Sequence, residues 1–206
     1  MIKLLSALLL TGKLSKVLLT GGTMLISLVT YAWVFGWTYA AGFIALLFAH
    51  EMGHYLAARQ RGLEVGAPCF IPFVGAWINL KEQPLNAETE AYVGIAGPIV
   101  GTLAAFACFL WGTYAQSPTL IAIAYAGFML NLFNLIPVSP LDGGRIMAAI
   151  SPRVWYVGYP LLIALYFWQP SPMLIVIAVM AAPALFNYHR HRAAMDATYY
   201  ALPSNT

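Results

Sequence analysis

Apolar residues run along this chain in long blocks, and the places where the blocks break predict its elements. From residue 17 to residue 49 no side chain carries a charge. As one helix this stretch would measure about 50 Å at 1.5 Å per residue, against a hydrocarbon core about 30 Å thick, so the chain must turn back within it. Gly36 supplies the break, and Tyr31, Trp33, Trp37 and Tyr39 around it form an aromatic belt of the kind that sits at a membrane interface. A first span is therefore expected at 17–35 and a second at 38–60.

Residues 65–80 are apolar but too few for a span, and Gly66, Pro68, Pro72 and Gly75 are incompatible with a regular helix. The expectation is a re-entrant β-hairpin, with strands near 67–71 and 76–80 and a turn at 73–75, its backbone buried in protein or lining a wet cavity. An interfacial loop is the alternative for so short a run. Residues 81–90 form a polar connection, in which Asn86 can cap a helix whose first turn holds Glu88 and Glu90 as solvated acids.

A third span, 91–114, opens with Gly94, Gly97, Pro98 and Gly101, a small-residue face for close helix packing. The fourth, 118–136, is stopped by Pro137 and Pro140, and Gly143 and Gly144 are expected to turn the chain sharply after Asp142. Residues 145–152 read as interfacial, and 154–168 and 173–188 as fifth and sixth spans. The fold class expected is an all-α polytopic membrane protein of about six transmembrane helices, with a re-entrant β-hairpin between the second and third. Residues 1–16 are expected as an uncleaved interfacial segment, 17–188 as the intramembrane domain and 189–206 as a polar cytoplasmic tail.

Composition agrees: 61% of the 206 residues are hydrophobic and 8% charged, against roughly 25% charged in soluble domains. The net charge of +3 comes without a basic cluster, which excludes nucleic acid as a partner. Two isolated cysteines, Cys69 and Cys108, suggest neither a disulfide framework nor a thiolate zinc site. With six spans and the N-terminus inside, all ten lysines and arginines fall on the cytoplasmic side. Both termini are then cytoplasmic.

Against that apolar background stands His50-Glu51-Met52-Gly53-His54 in the second span. On a helix, positions i and i+4 share a face, so both imidazoles can reach one metal ion with Glu51 beside them. An ionisable residue inside a membrane is costly unless it serves a function. A catalytic zinc takes three protein ligands and keeps one position open. The chain has two aspartates, and Asp142 lies at a membrane-level helix break on the side of the histidines, whereas Asp196 is in the polar tail. Asp142 is thus the expected third ligand, and a divalent cation would offset the cost of a carboxylate and two imidazoles in hydrocarbon. Glu51 is expected as general base and proton shuttle for attack of water on a peptide carbonyl. Asn134, with Asn131 one turn earlier as a second candidate, can hydrogen-bond a substrate backbone or the oxyanion, or tie two helices together.

The histidine motif, the segment from Asn134 to Asp142-Gly143 and the glycine-proline opening of the third span resemble the site-2 protease family of intramembrane zinc metalloproteases, over residues 36–145. The resemblance implies hydrolysis of peptide bonds in or next to a transmembrane helix of a membrane protein substrate; the short helical distance from His54 to Arg59 separately puts the site near the cytoplasmic side. It also implies one Zn2+ on residues matching His50, His54 and Asp142, and a hairpin lying beside the unwound substrate. Residues 81–90 are too few for a PDZ-like insert, so selection by a soluble module falls to a separate regulatory protein. Ser139 stands where relatives often carry proline. The competing readings are a membrane metal transporter and a catalytically silent relative that binds membrane helices.

Overall fold

The computed structural model describes residues 12–72, 75–80 and 86–191. Most of the 1–16 segment, the tip of the hairpin turn, the start of the 81–90 connection and the tail beyond 191 lie outside the described residues. The described chain is mostly helical, with helices α1 (Gly12–Phe35), α2 (Trp37–Gln60), α3 (Ala87–Tyr114), α4 (Pro118–Asn134), α5 (Asp142–Ala148), α6 (Trp155–Trp168) and α7 (Pro172–His191). Strands β1 (Val65–Ile71) and β2 (Gly75–Leu80) stand between α2 and α3.

Each boundary has a local cause. Gly36 joins α1 to α2 with φ 85°, a left-handed conformation that costs glycine little and other residues more. Asn86 accepts a hydrogen bond from the Thr89 amide at 2.8 Å and starts α3. Ser117 caps α4, with Pro118 in its first turn.

α2, α3 and α4 form the centre of the molecule. Gly42 of α2 meets Ile123 of α4, Leu46 meets Gly127, and His50 meets Asn131. These pairs advance by four residues on both helices, so α2 and α4 run parallel, in register. α3 runs antiparallel between them, with Ala105 beside Gly127, Gly101 on Asn131 and Gly97 on His54. The small-residue face expected on the third span is thus the surface that lets α2 and α4 come close.

The hairpin is antiparallel, pairing Pro68 with Ile78, Cys69 with Trp77, Phe70 with Ala76 and Ile71 with Gly75. Its outer β1 edge is closed by α1: Thr20 Oγ1 donates to the Pro68 carbonyl at 2.7 Å, and the Phe70 amide donates to Thr23 Oγ1 at 3.1 Å. Proline, which has no N–H, fits that edge. Phe70 is buried among Tyr31, Ala40, Ile44 and Leu47, which fixes the hairpin against α1 and α2.

The outer surface is that of a protein in lipid. Trp33, Trp37, Leu103, Trp111, Leu132, Phe167 and Val179 are among many large apolar side chains left exposed, far more than a soluble monomer presents. Among the described residues two helical stretches, Leu18–Phe35 and Ala87–Tyr114, are long and apolar enough to cross a membrane. α2 is 24 residues, about 36 Å at 1.5 Å per residue, but its histidines, glutamate and arginine lower its hydropathy. α6 has 14 residues, about 21 Å at that rise, within one residue of the short fifth span expected at 154–168.

Candidate metal centre

Three buried side chains from two distant segments meet at the centre of the bundle. His50 and His54 lie on one face of α2, their Nε2 atoms 3.1 Å apart and their rings inclined at 80°. Asp142 opens α5 and places Oδ2 3.2 Å from each Nε2. The three donor atoms lie within 4.8 Å of one another. Glu51, also buried, sits on α2 beside them.

The contacts behind the rings settle what these atoms are. His54 Nδ1 faces the Val93 carbonyl at 2.8 Å, and a carbonyl only accepts, so Nδ1 carries a proton and the neutral ring presents its lone pair at Nε2. His50 Nδ1 faces Asn131 Oδ1 at 2.8 Å. Among the described residues Asp142 Oδ2 is buried without a satisfied hydrogen bond, its polar neighbours being the two Nε2 atoms at 3.2 Å. Three electron-rich atoms about 3 Å apart, away from water, repel one another unless a cation joins them. Two imidazole nitrogens and a carboxylate oxygen are the ligand types of a catalytic zinc, with room for a fourth ligand. The donor set fits that ion.

Asp142 is brought here by a turn that differs from the one expected. Gly143 and Gly144 do not reverse the chain; they lie inside α5. A Cβ on Gly143 would overlap the Leu135 carbonyl, and one on Gly144 the backbone of Val138 and Ser139. Their role is backbone-to-backbone contact, with the 135–140 loop folded over the start of α5. Trp155 Nε1 donates to the Gly144 carbonyl at 3.0 Å, and Arg145 Nε lies 3.2 Å from Glu90 Oε1. The expected solvated acids of α3 are therefore partnered, Glu90 with Arg145 and Glu88 with Arg61. Nothing in the sequence around Trp155 distinguished it from an interfacial belt residue.

The two asparagines separate. Asn131 is buried, with its amide between His50 of α2 and the Gly127 carbonyl of its own helix, which is the helix-tying alternative given for it from the sequence. Asn134 is half-buried and donates from Nδ2 to the Leu130 carbonyl at 3.1 Å. Cys69 and Cys108 are free and distant from the donors in sequence and in role.

Comparison with known proteins bears on the helix that carries His50, Glu51 and His54. Residues 38–121 match the model of Peptidase family M50. The Synechocystis sp. protein named "Putative zinc metalloprotease sll0528" is 32% identical over 145 residues, 68% of this chain and 35% of that one. Zinc metalloprotease MJ0392 of Methanocaldococcus jannaschii is 32% identical over 106 residues, 49% of this chain and 30% of its own. This chain thus spans about a third of the length of these relatives. The solved site-2 protease from M. jannaschii shares the fold, with a TM-score of 0.53 at 20% identity over 89% of this chain and 88% of that one. The exposed apolar surface, the HExxH-bearing helix and these matches belong together: over residues 38–121 the chain is similar to Peptidase family M50, and it shares the fold of the M. jannaschii site-2 protease.

Proposed function

We propose that the chain is an intramembrane zinc metalloprotease that hydrolyses peptide bonds in or near the transmembrane helices of membrane protein substrates. The observation that carries this reading is the buried convergence of His50 Nε2, His54 Nε2 and Asp142 Oδ2 with Glu51 alongside. Bound by these three residues, zinc supplies Lewis-acid polarisation of a carbonyl and a more acidic water. Glu51 takes a proton from the attacking water and returns it to the amide nitrogen as the carbon–nitrogen bond breaks, so that water is divided between the new carboxyl and amine ends. Asn134 is the residue assigned to hydrogen-bond the substrate backbone or its developing oxyanion.

A helical substrate hides its amide groups and must become extended to be cut. The hairpin offers one partner edge for that strand. Thr20 and Thr23 occupy the outer edge of β1; among the described residues no strand pairs with the outer edge of β2, and that edge is the one assigned here to strand addition. β2 packs beside α2, where Ala76 joins the cluster of Ile44 and Leu47, the turn before His50.

The membrane arrangement proposed is six spans with a re-entrant hairpin, residues 17–188 forming the protease domain. Both termini and the site's nearer surface face the cytoplasm. Support comes from the grouping of charge: Arg61 with Glu88 and Arg145 with Glu90 all lie at the end of the bundle that carries His54 and Asp142. At the opposite end Trp33, Trp37 and Tyr114 are exposed without charged neighbours in sequence. Substrate selection would involve a separate regulatory protein.

The test is cleavage of a single-pass membrane protein co-reconstituted with the full chain in sealed vesicles. Cleavage that stops in Glu51→Gln while zinc stays bound is expected. Zinc uptake without cleavage, indifferent to Glu51, would assign the site to transport instead, and binding without either would mark a silent relative.

A further inference from the structure

α3 gives no ligand to the metal centre, yet it touches the support of both imidazoles. Val93, Gly97 and Gly101 are spaced i, i+4, i+8 and share one face of the helix. The Val93 carbonyl accepts from His54 Nδ1. Gly97 lies so close under His54 that a Cβ there would overlap the ring. Gly101, one turn on, stands in the same relation to Asn131: a Cβ would overlap Oδ1 and lie 3.0 Å from Nδ2 and 3.1 Å from Cγ.

The orientation of the Asn131 amide is forced. The Gly127 carbonyl accepts only, so the nitrogen of the amide faces it, at 2.7 Å, and Oδ1 is turned to His50 Nδ1. An amide oxygen also accepts only. His50 must therefore carry a proton on Nδ1, and its neutral ring then offers Nε2 to a metal. Asn131 does for His50 what a backbone carbonyl does for His54, and it has space to do so because residue 101 has no side chain.

From this geometry we infer that Asn131 is a positioning residue for the zinc, and that the Val93–Gly97–Gly101 face of α3 is the template against which both imidazoles are set. The inference rests on the zinc reading above. Asn131 acts through His50 and touches no substrate, which separates its role from that of Asn134.

The experiment measures zinc affinity of the full-length protein in detergent, by competition with a chromophoric chelator, beside its helical content. Asn131→Ala should bind zinc roughly 10–100-fold more weakly, the usual cost of losing an outer partner of a metal ligand. Gly101→Ala should also weaken zinc, since its methyl displaces the amide. The double variant should be no weaker than Asn131→Ala alone, because the methyl then has nothing to displace. Parental affinity in Asn131→Ala, or single effects that simply add in the double variant, would overturn the positioning role. Should Asn131→Ala fail to fold, Gly101→Ala decides alone: it keeps every hydrogen-bonding group, so parental zinc affinity there refutes the template. A parent that binds no zinc would sink the metal reading itself, a failure visible before any variant is compared.

Discussion

Gly53, inside the HExxH motif, should be intolerant of even one methyl group. A Cβ at this position would overlap the Ala96 carbonyl oxygen and lie 2.9 Å from its carbon and 3.0 Å from Gly97 Cα. Carbon atoms settle at about 3.5–4.0 Å, so α2 and α3 would have to separate by about 0.5–1 Å. What the methyl meets is backbone, which cannot step aside as a side chain can. The 2.8 Å hydrogen bond from His54 Nδ1 to the Val93 carbonyl crosses this same gap and would stretch beyond about 3.2 Å, the usual limit for such a bond. Metal sites hold their distances to about 0.2 Å, so Gly53→Ala should weaken zinc binding at least about tenfold. Its stability should fall by about 0–2 kcal/mol, because overpacking costs about 1–3 kcal/mol and the better helix propensity of alanine returns about 1. Gly42→Ala on the same helix is the control. Its Cβ would meet the Ile123 side chain, Cδ1 at 2.6 Å, Cγ2 at 3.0 Å and Cγ1 at 3.3 Å, about two turns from His50 and with no backbone in the way, and zinc affinity should stay at the parental value. Zinc titration of the three proteins, with thermal unfolding followed by circular dichroism, reads both effects. Gly53→Ala with parental zinc affinity would refute the claim that α2–α3 contact sets the position of His54.

Other contacts make smaller demands. Trp155→Phe removes one hydrogen bond to the Gly144 carbonyl and should cost about 0.5–1.5 kcal/mol in thermal stability without abolishing zinc binding. Thr23→Val leaves the Phe70 amide without its acceptor; hydrogen exchange at Phe70 should quicken, and stability should drop by about 1–3 kcal/mol. Arg145 and Glu90 are each about one-quarter exposed in their side chains, so Arg145→Ala should cost no more than about 1 kcal/mol, and a double-mutant cycle with Glu90→Gln should show a coupling of that size.

Sequence alone revealed the parts of this architecture that depend on local chemistry. Gly36 marked the reversal between α1 and α2, Asn86 the start of α3, and the proline-and-glycine pattern of residues 66–75 the hairpin. The His50, Glu51 and His54 spacing was legible because one helix turn places it, and Asp142 because the chain has so few acids to choose among. What escaped depends on register between segments far apart. Asn131 and Asn134 are both polar residues at the end of one apolar helix; only the parallel alignment of α2 with α4 turns Asn131 toward His50. The partner of His54 is the backbone of Val93, which has no side-chain signature. Gly143 and Gly144 read as a turn because glycine permits one, whereas here glycine is needed for its missing side chain, under a loop that begins at Leu135. The same ambiguity affected Glu88 and Glu90, whose arginine partners come from α2 and α5.

The central claim is that His50, His54 and Asp142 hold one metal together. The direct measurement is the zinc content of the protein, purified without chelator and offered zinc, beside Asp142→Ala and His54→Ala. About one zinc per parent chain, lost or strongly weakened in both variants, is predicted from a three-ligand site. A parent without zinc, or variants that retain it at parental affinity, would contradict the account.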